Sequence, residues 1–493
     1  MNSMDEMSVG RRLTLSLCDK VITAEAGGEY TLPDYQPEIR RLLYVKPTVL
    51  PPAKYVGGGS AELNGTVDYQ VLYVGADGGL YTVPLSAEYE MTVPLEHGAE
   101  VDPGEGVTVC VSTVCEAVNT RVSAPRKLTI RNRLRSRVRA FGKGTVEEQQ
   151  IGEVEPGSIR RLLENGKMLG IAGALSDGIE LHTEISGISE DTRVIAADAT
   201  PFLSEITPRE GRLCAVGEIL LNLLVCRDGG TPEKLCRKLP FEGEVEMVGL
   251  PTEWVGRMTG VVSDLSVTVA EGQILCDICV LLEGRGLWNL PMTYTADLYS
   301  TETESVCEYA DYDLPVALKC ENRNLSQSER LPLEGLNLPE EATVLDAFGT
   351  AQLDACEQVG NRYVLTGQSR YLLLCEKDGE YFVTELNLPL RYETDAADGT
   401  PTGFDATAEV ISCRVALSGD TLNLDAELSV VADFLGTESI RTPERVTFGE
   451  KVDCRGNRMI VYYPVEGDTP WTVAKKYHVS PEQLTEQGGY YLL

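Results

Sequence analysis

The chain has 493 residues, 43% of them hydrophobic, which sets a size for about three to four domains with real cores. Its formal net charge of −33 excludes nucleic acid as a general partner, because phosphate binding needs a basic footprint. No window is long and apolar enough to span a bilayer, so no transmembrane segment is expected.

Residues 1–12 are polar and lack the apolar region of a secretory signal. Most of the 14 cysteines, among them Cys110, Cys115, Cys226, Cys276, Cys375 and Cys413, lie inside apolar strand patterns, where Cys behaves as a small hydrophobe. Reduced thiols and a cytoplasmic location follow as the expectation. Cys276 and Cys279 have metal-like spacing, but no second pair or nearby His completes a site, and strand alternation puts them on opposite faces. The three histidines (His97, His182, His478) are scattered, and the chain has no G-x-S-x-G, phosphate-cradling loop or H-E-x-x-H. A non-enzyme without cofactor or metal is therefore expected.

In chain order, Leu13 to Leu17 reads as a strand, and Thr31 to Ile39 as a loop bracketed by Pro33 and Pro37. Asn64 to Val74 then forms a strand with rough period-2 alternation, closed by an Asp77-Gly78 turn and a return strand from Leu80 to Leu85. Further strands fall at Val107 to Val118 and Leu128 to Ala140. Inside the last, Arg131, Arg133, Arg135, Arg137 and Arg139 occupy every second position, with Ile130, Leu134 and Val138 at alternate positions that face the other way. On a strand all five guanidinium groups share one face. That stripe has three readings: contact with an anionic surface or acidic partner, a charged edge that discourages pairing, or docking on the chain's own acidic domains.

The strand–turn–strand unit returns twice. Val216 to Cys226 precedes Asp228-Gly229 and a return strand at Lys234 to Phe241; Thr366 to Cys375 precedes Asp378-Gly379 and a return at Tyr381 to Leu390. Gly65, Gly217 and Gly367 are spaced by 152 and 150 residues. That period is too long for a solenoid and fits a triplicated domain. Residues 155–190, at the start of the second copy, are rich in Gly, Ser and charge and define no clear strands. Hairpins follow in both later copies, at Val261 to Leu282 around Ala270-Glu271-Gly272, and at Val410 to Val431 around Ser418-Gly419-Asp420. Many short strands with regular turns argue a mainly β fold of three sandwich-like modules, at 1–145, 146–308 and 309–452.

The segment 457–493 differs. A strand meets a Gly467-Asp468 turn, Thr469 is a candidate N-cap with Pro470 at the first helical position, and Trp471, Ala474 and Lys475 share one side of the helix. Ser480-Pro481-Glu482 opens a second short helix, which predicts a strand–helix–helix unit.

This tail resembles the LysM domain: Val465, Gly467-Asp468-Thr469, Trp471, Val473-Ala474, Tyr477, Val479 and Leu484 fall on that family's pattern Y-x-V-x-x-G-D-T-L-x-x-I-A-x-x-Y-x-V-S-x-x-x-L. It departs at Pro470, where Leu is usual, and at Gln487, near the common Asn. The three β modules resemble the SPOCS domain of endospore-coat proteins, through Leu32-Pro33-Asp34-Tyr35-Gln36-Pro37-Glu38-Ile39 and the strand from Gly65 to Val74. Three such modules with a LysM-like tail resemble clostridial coat-morphogenesis proteins. The resemblance implies a sporulation scaffold in the mother-cell cytosol at the forespore surface, with the coat basement-layer ATPase and other coat proteins as partners. It implies a partner-binding tail with Gly467, Asp468, Thr469, Trp471, Val473 and Tyr477 as contact residues. The alternative it leaves is a peptidoglycan-binding protein that uses the same residues on N-acetylglucosamine polymers.

Overall fold

The computed structural model describes residues 11–96, 106–146, 148–189, 191–227, 230–336, 338–339, 341–399, 401–452, 460–487 and 490–492. The Asp228-Gly229 pair and residues 457–459 of the tail lie outside them. The chain is mainly β, folded into several antiparallel sheets. No helix among the described residues is long and apolar enough to cross a membrane.

One order of pairing occurs three times. In the first copy, a long strand β1 (Arg11–Thr31) is followed by β2 (Ile39–Val49), β3 (Ala53–Gly57), β4 (Ser60–Gly75) and β5 (Leu80–Pro94), which form one sheet around β4. A hairpin of β6 (Thr108–Ala124) and β7 (Lys127–Val146) then returns, and β7 pairs with β1. After the short β8 (Gln149–Ile151), the second copy repeats this with β9 (Ile159–Leu175), an added β10 (Ile179–Ser186), the meander β11 (Arg193–Arg209), β12 (Arg212–Cys226) and β13 (Glu233–Glu246), and the hairpin β14 (Val255–Ala270) and β15 (Gln273–Ser300). The third copy has β16 (Thr303–Pro332), the meander β17 (Thr343–Val359), β18 (Arg362–Lys377) and β19 (Glu380–Asp395), and the hairpin β20 (Pro401–Ser418) and β21 (Thr421–Lys451). In each copy alternate apolar side chains of the two sheets meet in one core, as period-2 patterning requires.

The repeated glycine has a steric cause. In the second and third copies the neighbouring strand bulges between Leu203 and Glu205 and between Leu353 and Ala355. A Cβ on Gly217 would lie 2.3 Å from the Phe202 carbonyl oxygen, and one on Gly367 only 1.9 Å from that of Gln352. In the first copy the space beside Gly65 is filled by the Tyr89 ring instead. The Asp-Gly turns use the left-handed region at Gly78 (φ 86°) and at Asp378 and Gly379 (φ 53° and 77°). The loop from Thr31 to Ile39 is clasped by Arg126, which donates to the Pro33 and Gln36 carbonyls, and by the Tyr73 hydroxyl.

The copies close into a ring. β5 packs on β11, β13 on β17, and β19 on β2, so each return strand meets the first meander strand of the next copy. Equivalent residues meet in two three-way contacts. One is apolar, with Leu72, Leu224 and Leu374 beside Leu43, Ile195 and Leu345. The other is ionic: Arg257 and Arg285 of the second copy pair with Asp405 and Asp433 of the third at 2.8–2.9 Å, and Arg139 of the first lies beside them on Asp19.

β15, β16 and β21 have 28, 30 and 31 residues, a contour of roughly 90–100 Å at about 3.3 Å per residue. That exceeds one sheet, so their ends run on as two ribbons, β9 with β15 and β16 with β21. The ribbons pack through Tyr294, Leu314 and Ile440, then Leu298, Val446 and Phe448. They form a stalk.

Candidate functional site: a tail at the tip of the stalk

The tail comprises β22 (Val461–Tyr462), helix α1 (Pro470–Tyr477), a 3-10 turn at Pro481–Gln483, β23 (Thr485–Gln487) and β24 (Tyr490–Leu492), with β24 between the other two strands. Its local structure follows from the Gly467-Asp468-Thr469 sequence. Gly467 sits at φ 95°, where a side chain would be strained. The Asp468 carboxylate accepts from the Val465 N–H and the Tyr462 hydroxyl, each at 2.8 Å. Thr469 caps α1, its hydroxyl accepting from Thr472 N–H while Thr472 Oγ1 accepts from Thr469 N–H. Val473 and Ala474 are buried, and the Tyr477 ring meets Tyr462 edge-on at 5.7 Å.

Trp471 and Lys475 stand one turn apart on α1 and so share a face. That face docks on the stalk. The β15 ladder shifts register between Thr295 and Asp297, and such a bulge re-aims the side chain that follows. Asp297 Oδ2 accepts from Trp471 Nε1 at 2.8 Å; Oδ1 accepts from Lys475 Nζ and the Tyr309 hydroxyl, both at 2.6 Å, and from Leu298 N–H at 2.7 Å. Burial raises the pKa of this carboxyl, but the Lys475, Trp471 and Tyr309 donors outweigh it and hold Asp297 below its ordinary value. The Tyr299 ring meets Trp471 edge-on at 4.9 Å and its hydroxyl donates to the Val479 carbonyl at 2.5 Å. His478 Nδ1 lies 3.0 Å from the Ser300 carbonyl oxygen.

The sequence-derived contact residues therefore divide. Gly467, Asp468 and Thr469 build the exposed turn, Val473 is core, Tyr477 pairs within the tail, and Trp471 faces the stalk. Away from the docked face, Val461, Tyr463 and Val465 remain 45%, 65% and 66% exposed. Sequence reasoning missed Asp297, Tyr299 and Tyr309; the only signal was an acidic residue in the apolar run Ala296-Asp297-Leu298.

The arginine stripe lies on one face of β7, with Ile130, Leu134 and Val138 buried on the other. Arg133 and Arg135 pair with Glu116, Arg135 also with Asp354 of the third copy, and Arg137 and Arg139 with Asp19. Arg131 is exposed. Arg139 is 3% exposed and belongs to the ionic three-way contact.

A cavity of about 1430 Å³ lies between the three modules, bordered by Tyr44 at the apolar contact and Arg257 at the ionic one. Lys46 crosses it to Asp198, 5.7 Å from the Phe348 ring, which lies 4.6 Å from that of Tyr44. Glu409 is open to the cavity yet surrounded by protein, and burial pushes its carboxyl up to about 7. Asp68 is raised as well, first by burial and then by Asp264.

No family model, no curated protein and no solved structure matches this chain.

Proposed function

We propose that the chain is a non-enzymatic scaffold of the endospore coat, in which the three SPOCS-like modules form the body and the LysM-like tail holds a protein partner, the coat basement-layer ATPase. This reading places the protein in the mother-cell cytosol at the forespore surface, among other coat proteins. The observation that carries it is the division of the tail's surface. α1 is spent on the stalk through Trp471 and Lys475, while Val461, Tyr463 and Val465 point outward at the tip. An exposed apolar strip beside a polar turn suits a protein partner. It also sits beside the turn that joins β15 to β16, at the end of the stalk, where a tether can be reached.

The test is retention of the full-length chain on purified basement-layer ATPase and on insoluble peptidoglycan. Val461→Asp with Val465→Asp should abolish retention by the ATPase, and Asp297→Ala should weaken it by freeing the tail's orientation. Capture by peptidoglycan alone, lost on substitution in the Gly467–Thr469 turn, would replace this reading with the glycan-binding one.

A further inference from the structure

The junction between the second and third modules contains a cleft of about 340 Å³, within the range of small-molecule sites. Five basic residues line it: Lys46, Lys234, Arg237, Lys238 and Arg414. For a chain of net charge −33, that concentration is anomalous. Three of the five are neutralised. Lys46 pairs with Asp198 and Lys234 with Asp346, both in the cleft wall, and Lys238 pairs with Glu218. Glu427, the remaining acid of the wall, accepts from the Ser412 hydroxyl at 3.2 Å. The side chains of Arg237 and Arg414 have no hydrogen bond or ion pair among the described residues. They come from different modules, β13 and β20, and border one cleft.

The fold does not require these charges, because the other two junctions lack them. Taking each repeat glycine's ladder partner as the reference (Tyr89, Phe241 and Leu390), Arg237 corresponds to Leu85 and Leu386, and Lys238 to Ser86 and Asn387. Lys234 corresponds to Thr82 and Val383. Counting from the aligned positions Cys110, Arg257 and Asp405, each five residues before a bulge, Arg414 corresponds to Asn119 and Ser266. Three structurally equivalent junctions close, and one alone carries the arginines.

We infer that this cleft is a binding site for a small oxyanion-bearing molecule, held between Arg237 and Arg414, the two cationic side chains of its wall that carry no partner. Guanidinium groups offer paired N–H donors that match phosphate and carboxylate geometry. Because the site joins two modules, its ligand would also fasten that junction.

The experiment is calorimetric titration of the full chain with inorganic phosphate and, separately, with citrate, against sodium chloride at matched ionic strength to remove general screening. A saturable heat absent with chloride is expected, together with a raised unfolding temperature. Arg237→Ser with Arg414→Ser should weaken the affinity at least tenfold and leave the unliganded unfolding temperature in place, since both side chains are exposed. Arg414→Gln alone serves if the double variant misfolds. Response to phosphate only assigns a phosphorylated ligand, and response to citrate only a polycarboxylate. Heats equal to those of chloride, or unchanged in the arginine variants, overturn the proposal.

Discussion

The two three-way contacts use the same geometry and opposite chemistry. Leu72, Leu224 and Leu374 are identical in all three modules, and Leu43, Ile195 and Leu345 agree in size and apolar character. At the ionic contact the equivalent positions read Arg139, Arg285 and Asp433, and Cys110, Arg257 and Asp405. The apolar contact would form among any three copies of a module. The ionic one would not: three second modules would bury arginine against arginine, and three third modules aspartate against aspartate. Hydrophobic burial supplies affinity without choosing partners, whereas buried like charges exclude wrong ones. A chain of three modules with one repeated pairing order needs both, or its modules would associate between molecules as readily as within one.

The largest effect should come from the ionic contact. Asp433→Ala or Asp405→Ala leaves two buried guanidinium groups sharing one carboxylate in place of two, and should lower unfolding free energy by about 3–5 kcal/mol, measured by urea denaturation. Asp405 also gives a pH signature. Burial raises its pKa, but Arg257, Arg285 and Arg139 outweigh burial and hold it well below the ordinary value. A depressed folded pKa contributes stability that is complete above the unfolded value, near 3.9, and is lost as pH falls toward the folded one. Wild type should therefore lose stability steeply below about pH 4, and Asp405→Asn should lose less over that interval. An equal acid slope in both proteins would mean that the cluster adds nothing to the closure.

How much of this was legible in the sequence follows the same division. Local signals reported local structure: period-2 runs placed β4, β12 and β18, and the Asp-Gly turns at 77–78 and 378–379 sit where positive φ is used. The segment 155–190 was not legible, although β9 and β10 lie there. β9 is covered partly by the other ribbon of the stalk, so its burial does not alternate as in a two-layer sheet. The alternation of five arginines correctly gave one shared face, but nothing local distinguishes Arg139, buried on a neighbouring module, from exposed Arg131. Asp297 was invisible for the same reason. Its partners Trp471 and Lys475 are 174 and 178 residues away, and only the bulge at 295–297 aims it at them.

A smaller, symmetric effect is expected at the apolar contact. Leu72 is fully buried, and Leu72→Ala removes its side chain from a cluster shared by three modules, at a cost of about 2–5 kcal/mol depending on collapse of the cavity. Leu224→Ala and Leu374→Ala should match it to within about 1 kcal/mol, because the residues are equivalent. At the ionic contact, by contrast, Arg139→Ala should differ from Asp433→Ala, since Arg139 alone also reaches Asp19. Three unequal leucine variants would show that the three modules do not contribute equivalent environments to the contact.

The smallest effect belongs to the cavity between these contacts. Burial raises the Glu409 carboxyl to about 7, with Lys46 opposing the shift and Asp198 adding to it. Because the folded value exceeds the unfolded one of about 4.3, the folded state binds more protons between them, and stability falls as pH rises across that interval. This slope is opposite in sign to that of Asp405 and lies at higher pH. Glu409 is open to cavity water, which screens the penalty, so the change should be under about 1 kcal/mol. Glu409→Gln should match wild type near pH 4, where both side chains are neutral, and exceed it near pH 8. The comparison is made by thermal unfolding at both pH values. If instead the variant is less stable at pH 8, the ionised carboxylate is being held by the Lys46 ammonium, and the cavity is a third ionic contact rather than a gap between two.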